Sequence, residues 1–138
     1  MHIPVPEDLK EAFGSFYSFC IIGHEDPDGD CLSSQLVLAT LLERLGRHTA
    51  LVSPGPFERK EISHLAGKFS RHVPEDFTSS DTLTLVVDCS TIDRIGYLAE
   101  EIGESRIAVI DHHSSGQSFG DIRYVDPEAP SVTYMVQK

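Results

Sequence analysis

The stretch Phe19-Cys20-Ile21-Ile22-Gly23-His24-Glu25-Asp26-Pro27-Asp28-Gly29-Asp30 joins two unlike halves. Its first four residues are uninterruptedly apolar, the pattern of a short strand buried on both faces, and the strand is predicted over Ser18 to Ile22. The rest, Gly23 to Asp30, is a Pro/Gly/Asp loop that carries one imidazole and several carboxylates. The same junction recurs twice further on. Leu83-Thr84-Leu85-Val86-Val87 runs into Asp88, and Ile107-Ala108-Val109-Ile110 runs into Asp111-His112-His113. Three apolar strands, far apart in the chain, each end on Asp or His.

Between them lie helical patterns. Pro6 to Phe16 reads as an opening helix, with Leu9, Ala12, Phe13 and Phe16 at helical spacing. Leu32 to Leu45 reads as a second, stopped by Gly46. Thr49 to Val52 reads as a strand, Glu58 to Ala66 as helical, Thr82 to Val87 as a strand and Asp93 to Ile102 as a helix closed by Gly103. Strands follow at Arg106 to Ile110 and Ile122 to Val125, and a last helix opens at Ala129. Alternating strands and helices predict an α/β fold: an open, mainly parallel sheet with helices on both faces. In such a sheet the carboxyl ends of the strands share one edge, where ligands bind. The His and Asp residues would therefore meet in one crevice.

Each residue alone has an ordinary reading. An Asp after a strand is a turn or cap residue, Pro27-Asp28-Gly29 is a turn, and Asp30 would cap the helix that follows. It is the joint occurrence at three strand ends that points to metal. Imidazole and carboxylate, without thiolate, suit Mn²⁺, Mg²⁺ or Fe²⁺ better than structural zinc. Asp28, Asp30 and Asp88 supply −3 and two divalent ions +4, so the loaded site would carry +1 and attract phosphate. Ser33 and Ser34 open the helix beside the same crevice, where they either hold a phosphate with backbone N–H groups or finish the first turn.

Composition narrows the classes. The 138 residues suffice for one domain, 40% are hydrophobic, and the net charge of −11 disfavours a broad face for long duplex nucleic acid. No apolar run spans a bilayer and no secretory leader opens the chain, so the expectation is a cytoplasmic protein without membrane contact. The three cysteines, Cys20, Cys31 and Cys89, are odd in number and lack a CxxC pair; they read as small core hydrophobes.

The run His24-x-x-x-Asp28-x-Asp30, the Asp closing a later strand and Asp111-His112-His113 resemble the DHH family of phosphoesterases. Within it, the likeness is to the bifunctional oligoribonuclease and 3′-phosphoadenosine 5′-phosphate phosphatase group. Asp88 to Gly96, Phe119-Gly120-Asp121 and Asp126-Pro127-Glu128-Ala129 also look like that group, and the likeness runs from about Phe19 to the end. The resemblance implies two Mn²⁺ ions, with Mg²⁺ or another divalent ion as substitutes. His24, Asp28 and Asp88 would bind one ion, and Asp30, Asp88 and His112 the other, with Asp88 as the bridge. His113 would approach the phosphate and Asp111 would orient neighbouring histidines, so His113, Asp88 and Asp111 form the implied catalytic group. The substrate would be a short oligoribonucleotide or a small nucleotide, hydrolysed at a phosphoester.

The chain departs from the family pattern at Gly116, where an Asn is usual, and at its end. The family continues into a fourth motif with a further Asp and into a DHHA1-type second domain, neither of which lies within residues 1–138; the expectation is a truncated DHH-type catalytic domain. Three alternatives stay open: a non-catalytic module for metal or nucleotide, a subunit completed by a partner chain or a homodimer, and a family II-like inorganic pyrophosphatase or exopolyphosphatase.

Overall fold

The computed structural model describes residues 5–57, 60, 62–89, 91–111 and 120–125. Five strands, β1 (Ser18–Ile22), β2 (His48–Val52), β3 (Thr82–Val87), β4 (Arg106–Asp111) and β5 (Ile122–Val125), form one sheet in the order β2-β1-β3-β4-β5. Every pairing is parallel. The α/β reading holds.

Alternation along the strands explains why both faces are covered. Phe19, Ile21, Leu83, Leu85 and Val87 belong to one core, with Leu9 and Ala12 of helix α1 (Glu7–Ser15) and Leu38 and Leu42 of helix α2 (Gly29–Arg44). Cys20, Ile22 and Val86 point the other way, into a second core with Phe77, Ile95, Leu98 and Ile102. Such two-sided burial is why the strand sequences are continuous apolar runs. Phe19 anchors α1 through edge-on contacts with Phe13 and Phe16, at centroid distances of 5.9 and 6.5 Å.

Helix α2 starts at Gly29, three residues ahead of the sequence expectation, because Asp28 is its N-cap: Oδ1 accepts the Cys31 N–H at 2.9 Å. It ends at Arg44, and Gly46 (φ 79°) turns the chain out, with the N–H of Arg47 returning to the Leu42 carbonyl. The helix predicted over 93–102 is broken. A 3₁₀ turn (Ile92–Ile95) and helix α3 (Leu98–Glu101) flank Gly96, whose φ of 61° favours glycine and whose missing Cβ makes room for the Glu25 carboxylate. The predicted helix at 58–66 is in part outside the described residues, and Ser63–Lys68 forms a 3₁₀ turn. The helix predicted from Ala129 lies outside them altogether. Strand β4 runs one residue longer than expected, since Asp111 still pairs with Val125.

Among the described residues no helix is long and apolar enough to cross a membrane. The sheet order has one further consequence. Chain leaves β1 through α2 to reach β2 on one side, then returns to β3 on the other, so the crevice of the sheet opens between the carboxyl ends of β1 and β3.

Candidate metal centre

His24 and Asp88 stand at that crevice, two and one residues beyond their strands. They meet across 64 residues of chain: His24 Nε2 lies 3.2 Å from Asp88 Oδ2, and both side chains are buried. The other ring nitrogen, Nδ1, lies 2.7 Å from the Glu25 carbonyl oxygen. A carbonyl only accepts, so Nδ1 carries the proton it donates and Nε2 is the atom turned toward the carboxylates. Asp28 Oδ2 sits 4.0 Å from the same Nε2 while Oδ1 caps α2. One carboxylate thus starts the helix and faces the imidazole.

The loop carrying these groups is strapped at both sides. The N–H of Glu25 donates to the Arg94 carbonyl at 2.7 Å, and that of Asp26 to Gly55 at 2.9 Å. Glu25 and Asp26 therefore serve through their backbone as the loop's fixings. Below the loop, the buried Gln35 of α2 donates from Nε2 to the carbonyls of Ile21 (3.0 Å) and Val52 (2.9 Å), tying helix to sheet at the ends of β1 and β2. Asp88 itself has φ 58°, a left-handed backbone that a residue with a side chain adopts at a cost of about 1–3 kcal/mol. Its N–H bonds to the Ile110 carbonyl at 2.9 Å, so the sheet ladder holds the strained residue in place.

The remaining sequence candidates are placed as follows. Asp30 is the second residue of α2 and half-buried. Ser34 is buried and its hydroxyl donates to the Asp30 carbonyl at 2.7 Å, the first-turn role; Ser33 is exposed. Asp111 is buried at the end of β4. His112 and His113 lie outside the described residues. The structure thus sets Asp88 3.2 Å and Asp28 4.0 Å from the same nitrogen of His24. It also adds a residue that sequence reasoning set aside: Cys31 offers a sulfur within 4.8 Å of donor atoms of His24 and Asp88. The signal was legible only once Asp28 is known as the cap, because a side chain three residues into a helix leans back over its N-terminus.

Electrostatics follow from this crowding. Burial works to lower the His24 pKa, but the Asp88 carboxylate, Cys31 and the Glu25 carbonyl outweigh it and raise it to about 11. A histidine raised in the fold stabilises it fully below its ordinary value of 6.5, and that contribution fades as pH climbs toward 11. In chelator, the gap in melting temperature between the unaltered chain and His24→Gln should be largest at pH 6 and shrink steadily to pH 10. A gap that widens with pH would show that Asp88 does not hold the imidazolium. A metal ion needs the neutral ring, so loading competes with this proton. The donors fit a divalent cation: an imidazole nitrogen whose partner nitrogen is fixed by a carbonyl, and two carboxylates of which one is fixed by a helix end.

Known proteins resemble this chain in sequence and in fold. The bifunctional oligoribonuclease and PAP phosphatase NrnA of Thermus thermophilus is 29% identical over 138 residues, covering 96% of this chain and 38% of that protein. An uncharacterized MG371 homolog of Mycoplasma pneumoniae is 22% identical, over 94% of this chain and 39% of its own length. The crystal structure of an exopolyphosphatase-related protein from Bacteroides fragilis superposes with a TM-score of 0.79 at 21% identity, over 94% of this chain and 41% of that one, a likeness of fold. This chain therefore spans about two fifths of the length of each. Residues 18–138 match the DHH family, N-terminal domain, and this chain, with its strand ends converging on a buried His–Asp pair, is therefore by that match a member of the DHH family.

Proposed function

We propose that the chain is the metal-binding half of a divalent-metal-dependent phosphoesterase that acts on short oligoribonucleotides or on 3′-phosphoadenosine 5′-phosphate. The observation that supports this reading is the buried contact of His24 with Asp88, with Asp28 4.0 Å from the same imidazole nitrogen, at the switch point of a parallel sheet. The substrate class comes from the Thermus relative, whose name states those activities.

Divalent ions held there would supply Lewis-acid polarisation of a phosphoryl oxygen and lower the pKa of the attacking water. The chain's own contribution is preorganisation. The Glu25 carbonyl fixes which nitrogen of His24 faces the site, the α2 N-terminus fixes Asp28, and Asp88, on its left-handed turn, holds its carboxylate 3.2 Å from His24 Nε2. Asp30, Asp88 and His112 are assigned to a second ion, His113 to the phosphate and Asp111 to orienting the histidines. On a chain of net charge −11, a cation-loaded crevice would offer local positive charge to a nucleotide phosphate, which favours small phosphorylated substrates over long duplexes.

The test is incubation of the chain with Mn²⁺ and, separately, adenosine 3′,5′-bisphosphate, a five-residue oligoribonucleotide and inorganic pyrophosphate. Released phosphate or nucleoside monophosphate from the first two supports the proposal. Cleavage of pyrophosphate alone would move the chain to the pyrophosphatase reading, and tight Mn²⁺ and nucleotide binding without product would make it a non-catalytic module.

A further inference from the structure

We infer that Cys31 is a sulfur ligand of the ion held by His24 and Asp88, and that it biases the site toward thiophilic divalent cations such as Zn²⁺, Co²⁺ or Fe²⁺. The inference rests on the metal-centre reading above and sharpens it. Among the described residues, the group of His, Cys, Asp and Glu side chains close enough to share an ion is His24, Cys31 and Asp88. All three are buried, and one donor atom from each lies within 4.8 Å of the other two. At a tetrahedral ion, donors at about 2.0 and 2.3 Å stand about 3.5 Å apart, so ligation would draw the three donors together around the ion.

Local structure explains why the sulfur is there. Cys31 is the residue whose N–H the Asp28 cap receives, so its side chain leans over the helix start and under the loop. It fills the volume that Gly23 leaves by lacking a side chain: a Cβ on Gly23 would lie 2.2 Å from Sγ. Its sulfur also contacts Gln35 Oε1 at 3.7 Å. The other cysteines are committed elsewhere: Cys20 is inside β1, in the core on the face away from α2, and Cys89 Sγ donates to the Val87 carbonyl at 3.3 Å.

Ligation needs no redox partner. The S–H bond breaks, an S–metal bond forms and the proton leaves to solvent. A nitrogen, carboxylate and thiolate set is softer than the thiolate-free set expected from sequence, and ligand softness is what separates Zn²⁺, Co²⁺ and Fe²⁺ from Mg²⁺ at comparable geometry.

The experiment is Co²⁺ loading of the chain under reducing conditions. The expected spectrum has an intense near-ultraviolet thiolate-to-cobalt charge-transfer band beside weak visible bands. Cys31→Ser should remove the first and keep the second, Cys20→Ser should keep both, and Zn²⁺ affinity should fall about tenfold or more in Cys31→Ser while Mg²⁺ affinity stays. X-ray absorption at the zinc edge of the unaltered chain needs no variant and should show a sulfur neighbour at about 2.3 Å. Visible bands without the near-ultraviolet one, or a zinc shell of nitrogen and oxygen alone, overturn the role of Cys31 and leave the metal centre standing. Failure to bind cobalt or zinc at all overturns both.

Discussion

Asp88→Asn is expected to leave the chain folded and to lower Mn²⁺ affinity by about 100-fold or more, with any hydrolysis falling to background. The substitution isolates charge from shape. Asn is nearly isosteric with Asp and is, after glycine, among the residues that best tolerate positive φ, so the 58° backbone at this position survives. The bond from its N–H to the Ile110 carbonyl is untouched. What disappears is the negative charge 3.2 Å from His24 Nε2, the oxygen that an ion at this site would share. Calorimetric titration with Mn²⁺, read beside a thermal melt in chelator, separates the two effects. Unchanged affinity in a folded Asp88→Asn chain would remove Asp88 from the centre, and with it the proposal. Asp88→Ala should be worse in one further respect: the left-handed turn then costs about 1–2 kcal/mol in stability, because alanine has no polar side chain to support it.

Gly23→Ala is the variant expected to harm the fold most for the least change in chemistry. A methyl group built there meets Cys31 Sγ at 2.2 Å and Gln35 Oε1 at 2.6 Å. Neither neighbour has room to retreat. Both are fully buried in α2, and the Gln35 amide is held by the carbonyls of Ile21 and Val52. Relief requires either lifting the first turns of α2 from the sheet or giving up those two hydrogen bonds. Overpacking of this kind costs about 1–3 kcal/mol. Each buried bond lost adds roughly 1 kcal/mol. A total of about 3 kcal/mol corresponds to a fall of roughly 10 °C in melting temperature for a chain of this size. Metal affinity should fall with it, since the same turn carries Asp28. Shrinking the partner is the diagnostic. Cys31→Ala should return part of the lost stability in the Gly23→Ala background, although alone it removes a buried sulfur and destabilises. A Gly23→Ala chain that melts with the parent would mean the loop and α2 are not packed as described.

How much of this was legible beforehand differs between fold and site. The strands at Ser18–Ile22 and Thr82–Val87 were legible residue for residue, because a strand buried on both faces writes itself as a largely apolar run; the edge strand Ile122–Val125 was legible from its β-branched and aromatic residues. Parallel pairing followed from the helices between them. The start of α2 was misplaced, since whether Asp28 or Asp30 caps it depends on which carboxylate reaches a backbone N–H, and spacing alone permits both. The helix over 93–102 is broken at Gly96, whose left-handed backbone ends the first turn and whose missing Cβ leaves space for the Glu25 carboxylate, 71 residues earlier in the chain.

Residue types and periodicity, acting over a few neighbours, determined that this chain makes a parallel α/β sheet and delivers His24, Asp28 and Asp88 to its carboxyl edge. Tertiary structure alone decided what those residues touch: that His24 meets Asp88 at 3.2 Å, that Asp88 turns left-handed to do so, and that Cys31, a core residue as its sequence setting suggests, also stands beside them. The physical reason is range. Hydrophobic alternation and helix capping are local and leave a trace in the sequence, whereas side-chain contacts between distant segments depend on packed volume and strand order, which come into being only when the sheet closes.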